Sequence, residues 1–532
     1  MSRPAGPTRT GAISRSGSAR IVPYRESCGR DDSAAIRVRI LRLSSLVSVL
    51  RIRSTMESLL VLSDVHLGSD LNDFGQRIRR SRGIDGDLVN LIAYYRSVPP
   101  PSDRWRLVVA GDFIDFVGMT VRAEGVELQT ERSEEEREHG LGNAVDHVRI
   151  KLKLVVERHR DVFDALAGFV ADGHALTFIH GNHDLEFYWD AVKSDLRELL
   201  FARACAAQSD AIDAPAFDAR IAFHPWFFYV AGLAYIEHGH QYDAFCASQY
   251  VMAPLSAADP RRMARSVSDV LLRFIVRPTR GMHEYGHDKH GIAHYLAFAV
   301  KLGMAGLLEL ALCYARAVGE LFRLRREQRS GAAKSLPEED ERGLAGVART
   351  MRVGVERIRA LASLQVPPVT RTIRGILASV LLDRLALGLV ALLALLAVAV
   401  LTIAQVLHAW WVAPCIVVAW ALGHRQLARQ RTADPGERMI ERAGQLAKLF
   451  PAAFVVMGHT HTPAKMAIND GESTYINVGS WAEEEGQGGE GEPEDSNYRA
   501  ARTHLVIHRG DQGPVAEFLA WDGDGPRCFS PA

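Results

Sequence analysis

At 532 residues with 48% hydrophobic content, the chain can bury a full core and more than one module. Lys plus Arg and Asp plus Glu each number 63, so overall charge gives no pull toward nucleic acid or acidic membranes, and any electrostatic message is local. The six cysteines (Cys28, Cys205, Cys246, Cys313, Cys415, Cys528) are scattered without a CxxC pair, which points to free thiols in a reducing compartment and against a structural zinc cluster.

Residues 1–55 carry eleven Arg, no Lys and many Ser, with Glu26, Asp31 and Asp32 as their acids. This profile fits a disordered leader or a transit sequence; the alternative is a start at Met56, where Met-Glu-Ser-Leu-Leu-Val-Leu-Ser-Asp opens a domain directly with its first strand.

Residues 56–246 alternate apolar strand-like runs with helix-like segments, the pattern of an α/β layer fold. Asp87–Arg96 reads as the first helix and Val145–Ala171 as a longer one. Between them Glu124–Gly140, dense in Glu and Arg, reads as a solvated loop or helix face. Ala219–Ala234 has the pattern of a hairpin whose aromatics belong to the core.

Residues 247–440 read as a helical insertion. Arg261, Arg262, Arg265, Arg273, Arg277 and Arg280 mark either a membrane-surface helix or a basic solvated face. His294–Arg325 is apolar but broken by Lys301, Glu309, Arg316 and Glu320, so it reads as amphipathic rather than spanning. Leu385–Gly423 holds no Asp, Glu, Lys or Arg. One crossing needs about 20 apolar residues, so this length suits two, with the break near Gln405–His408. Basic flanks on both sides (Arg371, Arg374 and Arg384; His424, Arg425, Arg429 and Arg431) place both ends in the cytoplasm. The competing reading is a buried helical hairpin or a re-entrant loop.

Residues 441–532 resume the α/β pattern. Ser473–Val478, Thr503–His508 and Val515–Trp521 read as strands that close the second half of a sandwich, and Glu483–Asp495 as a flexible acidic loop.

The chemistry gathers at strand ends. Leu59–Ser63 precedes Asp64-Val65-His66, Leu107–Ala110 precedes Gly111-Asp112-Phe113-Ile114-Asp115, and Ala175–Ile179 precedes Gly181-Asn182-His183-Asp184. Leu233–Glu237 opens onto His238-Gly239-His240, and Phe454–Met457 onto Gly458-His459-Thr460-His461. A single His at an apolar strand end is usually structural. Five strand ends each carrying His, Asp or Asn instead suit a pair of hard divalent ions, because parallel strands deliver ligands to one edge of a sheet. Such ions acidify a bound water and offset charge on phosphoryl oxygens.

Asp64-x-His66, Gly111-Asp112-x-x-Asp115, Gly181-Asn182-His183-Asp184, His238 and Gly458-His459-x-His461 resemble, in order, the five motifs of the calcineurin-like metallophosphoesterase superfamily. The resemblance covers residues 59–246 and 446–525. It implies a four-layer αββα sandwich with two divalent ions, manganese, iron or zinc. One ion would be held by Asp64, His66, Asp112 and His461, and the other by Asp112, Asn182, His238 and His459. His183 would stabilise the transition state or protonate the leaving oxygen, which suits a group that titrates near neutral pH. Asp184 would orient that imidazole and Asp115 would support a ligand, or both would be structural caps. His240 and Asp243 stand beside His238, where either contact with substrate or a structural place is open.

Within that superfamily, His238-Gly239-His240, Gly458-His459-Thr460-His461-Thr462-Pro463 and Asn477-Val478-Gly479-Ser480-Trp481 are similar to the UDP-2,3-diacylglucosamine pyrophosphatase group, which acts on a lipid-linked diphosphate. The large insertion, the hairpin and His183, where some members carry Arg, depart from it. Three functions follow: a membrane-associated hydrolase of a phosphoester or diphosphate in a lipid or lipid-linked substrate, with its catalytic domain in the cytoplasm; an enzyme for a soluble nucleotide or phosphoprotein, anchored by the hairpin; or a non-catalytic membrane scaffold. The complete ligand set favours the first two over the third. The metal pair, the natural substrate and the oligomeric state are left open.

Overall fold

The computed structural model describes residues 57–71, 83–123, 125–208, 211–279, 292–380, 382–404, 410–429, 435–482 and 501–531, all within the unit Met56–Ala532. The leader, Arg280, the break near 405–408 and the acidic loop after 483 lie outside them.

Among the described residues, twelve strands form two sheets. The larger has the order β12-β11-β10-β1-β2-β3-β4, from β1 (Glu57–Leu62), β2 (Arg104–Ala110), β3 (Ala175–Ile179), β4 (Ile221–His224), β10 (Arg502–Gly510), β11 (Gly513–Trp521) and β12 (Pro526–Cys528). The smaller has the order β5-β6-β7-β9-β8, from β5 (Phe227–Val230), β6 (Ala234–Glu237), β7 (Phe454–Met457), β8 (Ala464–Ile468) and β9 (Ser473–Asn477). β1 through β4 run parallel, with Leu62 opposite Val109 and Ala110 opposite Ile179, so three strand ends stand level at one edge. β6, β7 and β9 are also parallel.

The period-two pattern of the strands divides their side chains between cores. Leu60 and Leu62 pack with Leu107, Val109 and Phe178 against the helices Gly83–Ser97, Val145–Arg158, Arg160–Ala171 and Asp190–Ala207. Leu59 and Val61 turn the other way and join Ile236, Val456 and Ile476 of the second sheet. Tyr235, Val455, Met457 and Tyr475 pack against the helices Leu336–Thr350, Val355–Ala362 and Pro435–Leu449.

Several sequence expectations are corrected here. Ala219–Ala234 is not one hairpin: β4 pairs with β3 in the large sheet, while β5 pairs antiparallel with β6 in the small one. The aromatic run there hides a change of sheet at Pro225-Trp226. β10 and β11 extend the first sheet through β1 rather than closing the second. The long helix breaks at His159, giving Val145–Arg158 and Arg160–Ala171.

The acidic stretch before Gly140 is not solvated throughout. Ser133 and Glu136 form a capping box on the helix Glu134–His139, and Glu136 is buried. Glu135 pairs with both Arg265 and Arg273, Glu136 with Arg262, and Arg277 approaches Asp115 at 3.7 Å. The basic stretch is therefore neither a membrane-surface helix nor a free solvated face. Arg262, Arg265, Arg273 and Arg277 dock the insertion onto the α/β part, while Arg261 stays exposed and pairs with Asp259.

Among the described residues, two helices are long and apolar enough to cross a membrane, Leu302–Gln328 and Leu382–Ile403. The first was expected to be amphipathic, and its far half behaves so: Ala317 and Leu321 are buried against Val267 and Val270, and Arg316 pairs with Glu138. Leu382–Ile403 has no buried residue and packs beside Val412–Arg429, where Gly388 meets Trp420 and Gly423 meets Leu387. Leu389, Leu393, Leu396, Val400, Val418 and Leu422 are exposed.

Two stability tests follow. Glu135→Ala strands the buried Arg273 guanidinium, and a loss of about 3 kcal/mol is expected, read as a lower guanidinium midpoint in detergent. His504, on β10, bonds Tyr95 at 2.9 Å, and burial depresses its imidazole to about 4. The unfolded chain takes up that proton near pH 6.5, so between those values it binds more protons than the folded state and stability falls as pH drops. The loss at pH 4 is on the order of 3 kcal/mol, and His504→Gln should narrow the gap between unfolding free energies measured at pH 7 and pH 4.5.

Candidate metal centre

The level strand ends bring the motifs together. Asp64 and His66 follow β1, Asp112 and Asp115 follow β2, and Asn182, His183 and Asp184 follow β3. From the second sheet come His238 after β6, and His459 and His461 after β7. Backbone bonds tie the loops to one another: Val65 N–H donates to Asp112 O at 2.9 Å, Gly458 N–H to His238 O at 3.1 Å and Trp481 N–H to Asp64 O at 3.0 Å.

These loops hold an unusual backbone. Asp64 (φ 53°), His66 (φ 53°), Asp112 (φ 54°), His459 (φ 69°) and His461 (φ 58°) are left-handed, five of the eight described non-glycine residues with positive φ. That conformation is costly for residues with a Cβ, and its concentration here marks a functional site. The motif glycines have a steric cause. A Cβ on Gly111 would strike the His238 ring, one on Gly181 the Asp112 carboxylate, and one on Gly458 the Ser63 and Asp64 side chains.

Each of the two central carboxylates is locked by one oxygen and aimed with the other. Asp64 Oδ2 accepts from Ser63 Oγ at 2.5 Å and His459 N–H at 3.1 Å, while Asp112 Oδ1 accepts from His183 N–H at 2.8 Å. Asp64 Oδ1 then lies 3.2 Å from His461 Nε2, 3.9 Å from His66 Nε2 and 4.0 Å from His238 Nε2. Asp112 Oδ2 lies 3.2 Å from His238 Nε2 and 3.7 Å from His66 Nε2, the central position expected of a shared ligand.

His238 supplies the test of whether a cation fits. Its Nδ1 donates to the Ala110 carbonyl at 2.9 Å, so in the neutral ring Nε2 carries a lone pair. That lone pair faces Asp112 Oδ2 and, at 3.1 Å, Asn182 Oδ1. Electron-rich atoms at these separations in a buried site repel one another unless a positive charge lies among them. Asp64 Oδ1 adds to the case, since it is buried without a hydrogen-bond partner. The donors are carboxylate oxygen, amide oxygen and imidazole nitrogen, a set suited to divalent zinc, manganese or iron.

The same crowding sets the charge state of the donors. Burial disfavours charge on Asp64, yet His238 and His461 hold its carboxyl down to about 2, and Asp112 is held well below the usual range against burial by His238 and His183. Burial would lower His238, but Asp112 and Asp64 overcome it and push the ring up to about 9. Burial and neighbouring His183 depress His66 to about 3, which keeps it a neutral donor.

Three groups with ligand atoms mutually within 4.8 Å occur here: Asp64, His66 and His461; His66, Asp112 and His183; and Asp64, Asp112 and His238. Asn182 joins them through its contact with His238. His459 stands slightly apart in a group with Asp243 and Cys246. Its Nε2 lies 3.2 Å from Asp243 Oδ2, which leaves Nδ1 as the atom for a metal.

Of the two places open to Asp184, an orienting group or a structural cap, the geometry matches the cap, and it is Asp115 that meets His183. His183 Nδ1 bonds Asp115 Oδ1 at 2.7 Å, whereas Asp184 accepts from the backbone N–H groups of Gly181 at 2.6 Å and Phe113 at 2.8 Å. Burial, then the Asp112 charge, raises Asp184 to about 7. Its place is under the loop rather than against a reacting atom. Sequence reasoning passed over Ser63, Cys246 and Arg277, and left Asp243 undecided. Only the spacing of Asp243 from His238 offered a signal, and spacing alone gave no direction.

Comparison with protein-family models gives no match, and comparison with curated proteins gives none either. Among solved structures, one match is the crystal structure of phosphopantetheinyl hydrolase (PptH) from Mycobacterium tuberculosis, at 12% identity, covering 84% of this chain and 95% of that chain, with a TM-score of 0.21. At that score the likeness carries no argument, and the reading of the site rests on its own geometry.

Asp243→Ala removes the carboxylate that holds His459, so metal affinity should fall about 10- to 100-fold. Metal content after dialysis against graded chelator reads this directly, and wild-type retention would show that Asp243 orients nothing.

Proposed function

We propose that the chain is a membrane-associated, dinuclear metal-dependent phosphoesterase that hydrolyses a phosphoester or diphosphate bond in a lipid or lipid-linked substrate. The observation that carries this reading is the convergence of Asp64 Oδ1, Asp112 Oδ2, His238 Nε2 and Asn182 Oδ1 on one buried place, a donor set that suits a divalent cation. The three cores, two of them between helices and a sheet and one between the sheets, support a helix–sheet–sheet–helix sandwich around it. One metal would be held by Asp64, His66, Asp112 and His461, and the other by Asp112, Asn182, His238 and His459.

When bound, the metal pair supplies an acidified water and offsets charge on the phosphoryl oxygens. The chain does the rest. His183, 7% exposed, stands beside His66 with ring centroids 4.6 Å apart, at the rim of the donor cluster. Its Nδ1 is held by Asp115, an anion kept well below the carboxylate range against burial by the His183 ring. That contact fixes the ring so that Nε2 is the atom able to hand a proton to the leaving oxygen. Arg277 reaches the same carboxylate from the insertion, so the docked helix helps set the acid.

The membrane part of the reading rests on Leu382–Ile403 and its neighbour Val412–Arg429. Their exposed apolar faces exceed what water tolerates on a soluble surface, and two crossings would keep the motifs before and after the hairpin on one side.

His183→Ala should lower kcat by about 10²- to 10⁴-fold on a phosphodiester while metal content stays at the wild-type level. Unchanged turnover would remove His183 from the chemistry, and lost metal would make it a ligand instead. Detergent-purified protein offered a chromogenic phosphodiester and a diacylated sugar diphosphate decides the substrate class. Preference for the soluble ester alone would reduce the hairpin to an anchor.

A further inference from the structure

Asp243 and Cys246 belong neither to the expected ligand set nor to the proton-donating pair, yet one short turn brings both to His459. Cys246 N–H donates to Asp243 O at 3.1 Å and Ala247 N–H to the same carbonyl at 2.7 Å, which closes that turn. Asp243 then repeats the pattern of Asp64 and Asp112. Its Oδ1 accepts from Phe245 N–H at 2.9 Å, which fixes the carboxylate and leaves Oδ2 facing His459 Nε2 at 3.2 Å. The ligand atoms of Asp243, Cys246 and His459 all lie within 4.8 Å of one another.

An aspartate that only steers an imidazole needs one oxygen against one N–H, and no thiol. Here a thiol completes a set of carboxylate oxygen, imidazole nitrogen and sulfur, the donors that zinc takes. Oxygen and nitrogen donors about 2.0–2.1 Å from a tetrahedral zinc stand about 3.3 Å apart, which the Asp243–His459 separation of 3.2 Å matches. Charge points the same way. A coordinating thiol loses its proton outright, so thiolate and carboxylate together cancel the charge of a divalent ion, and a neutral site is the kind that burial tolerates. Cys246 is 7% exposed, while the Asp243 side chain keeps 16%, which leaves an ion a way in. Manganese, a harder ion, gains little from sulfur. Among the described residues, Cys246 is the cysteine found in such a group.

We propose that Asp243 Oδ2, Cys246 Sγ and His459 Nε2 form a third metal site beside the candidate dinuclear centre, selective for zinc or cobalt over manganese. Binding releases the thiol proton and the Nε2 proton to solvent and replaces the Asp243–His459 hydrogen bond with bonds to the ion. His459 is also expected to serve the second ion of the centre through Nδ1, so zinc held here draws on the same ring and inhibits. The inhibition rests on the phosphoesterase reading; the site does not.

The test titrates cobalt into the full chain in detergent, stripped with chelator and reloaded with manganese. A cobalt–thiolate bond gives a near-ultraviolet charge-transfer band that a site of nitrogen and oxygen donors lacks. The band should saturate at about one cobalt per chain, vanish in Cys246→Ser and in Cys246→Ala, and persist in the combined variant Cys205→Ser, Cys415→Ser, Cys528→Ser, whose changes fall on exposed thiols. Retained manganese and melting curves show that each variant is folded. On a chromogenic phosphodiester, excess zinc should slow the manganese-loaded wild type, and Cys246→Ser should need about tenfold more zinc for the same effect. No band in the wild type, a band that outlasts both Cys246 substitutions, or zinc inhibition indifferent to them overturns the proposal. Absence of turnover with manganese bound is a different result: it overturns the phosphoesterase reading, and the cobalt band still decides the site.

Discussion

The arrangement depends on one electrostatic constraint: Asp64 and Asp112 each spend one oxygen on fixed donors and present the other to buried imidazoles. A carboxylate held this way cannot swing aside to reduce repulsion. His238 cannot either, because its Nδ1 is committed to the Ala110 carbonyl. The cluster is therefore preorganised for positive charge, and the left-handed backbone at five of its residues is the conformational cost of holding it so. The two sheets provide what offsets that cost. Their parallel strands end level, and the buried strands behind them leave the loops nowhere to relax.

What could be read from the sequence follows from which constraints are local. An apolar run of about five residues followed by Asp, Asn or His and flanked by Gly encodes a strand end directly, so β1, β2, β3, β6 and β7 and their donors are all legible. Gly111, Gly181 and Gly458 were visible as motif letters, but their steric reason needs the positions of His238, Asp112 and Ser63. The pairing of His183 with Asp115 rather than with the adjacent Asp184 is of the second kind. Asp184 is nearer in sequence, yet its two oxygens are drawn to backbone N–H groups beneath the loop, and only the fold reveals that they are taken.

The insertion was hardest to read for the same reason. Glu135 and Arg265 are 130 residues apart, and each alone looks like part of a solvated charge run. Brought together, they change meaning: the run before Gly140 becomes a socket, and the basic stretch becomes the plug. The change of sheet between β4 and β5 was hidden likewise, because Phe223 and Phe227 belong to one continuous aromatic stretch while serving different cores.

The docked insertion has a consequence for how the centre is controlled. Arg277 lies at its near end and approaches Asp115, which holds His183. Arg273 and Arg265, a few residues earlier, are fixed by Glu135, and Arg265 also lies 3.8 Å from Glu320 on the helix Ile292–Gln328. His183 thus lies beside the ion pairs by which the insertion docks, Arg277 on Asp115 and Arg273 and Arg265 on Glu135. His183 and Asp115 leave the ends of β3 and β2, so the sheets hold this pair as they hold the donor cluster, and the insertion adds Arg277 to it from outside.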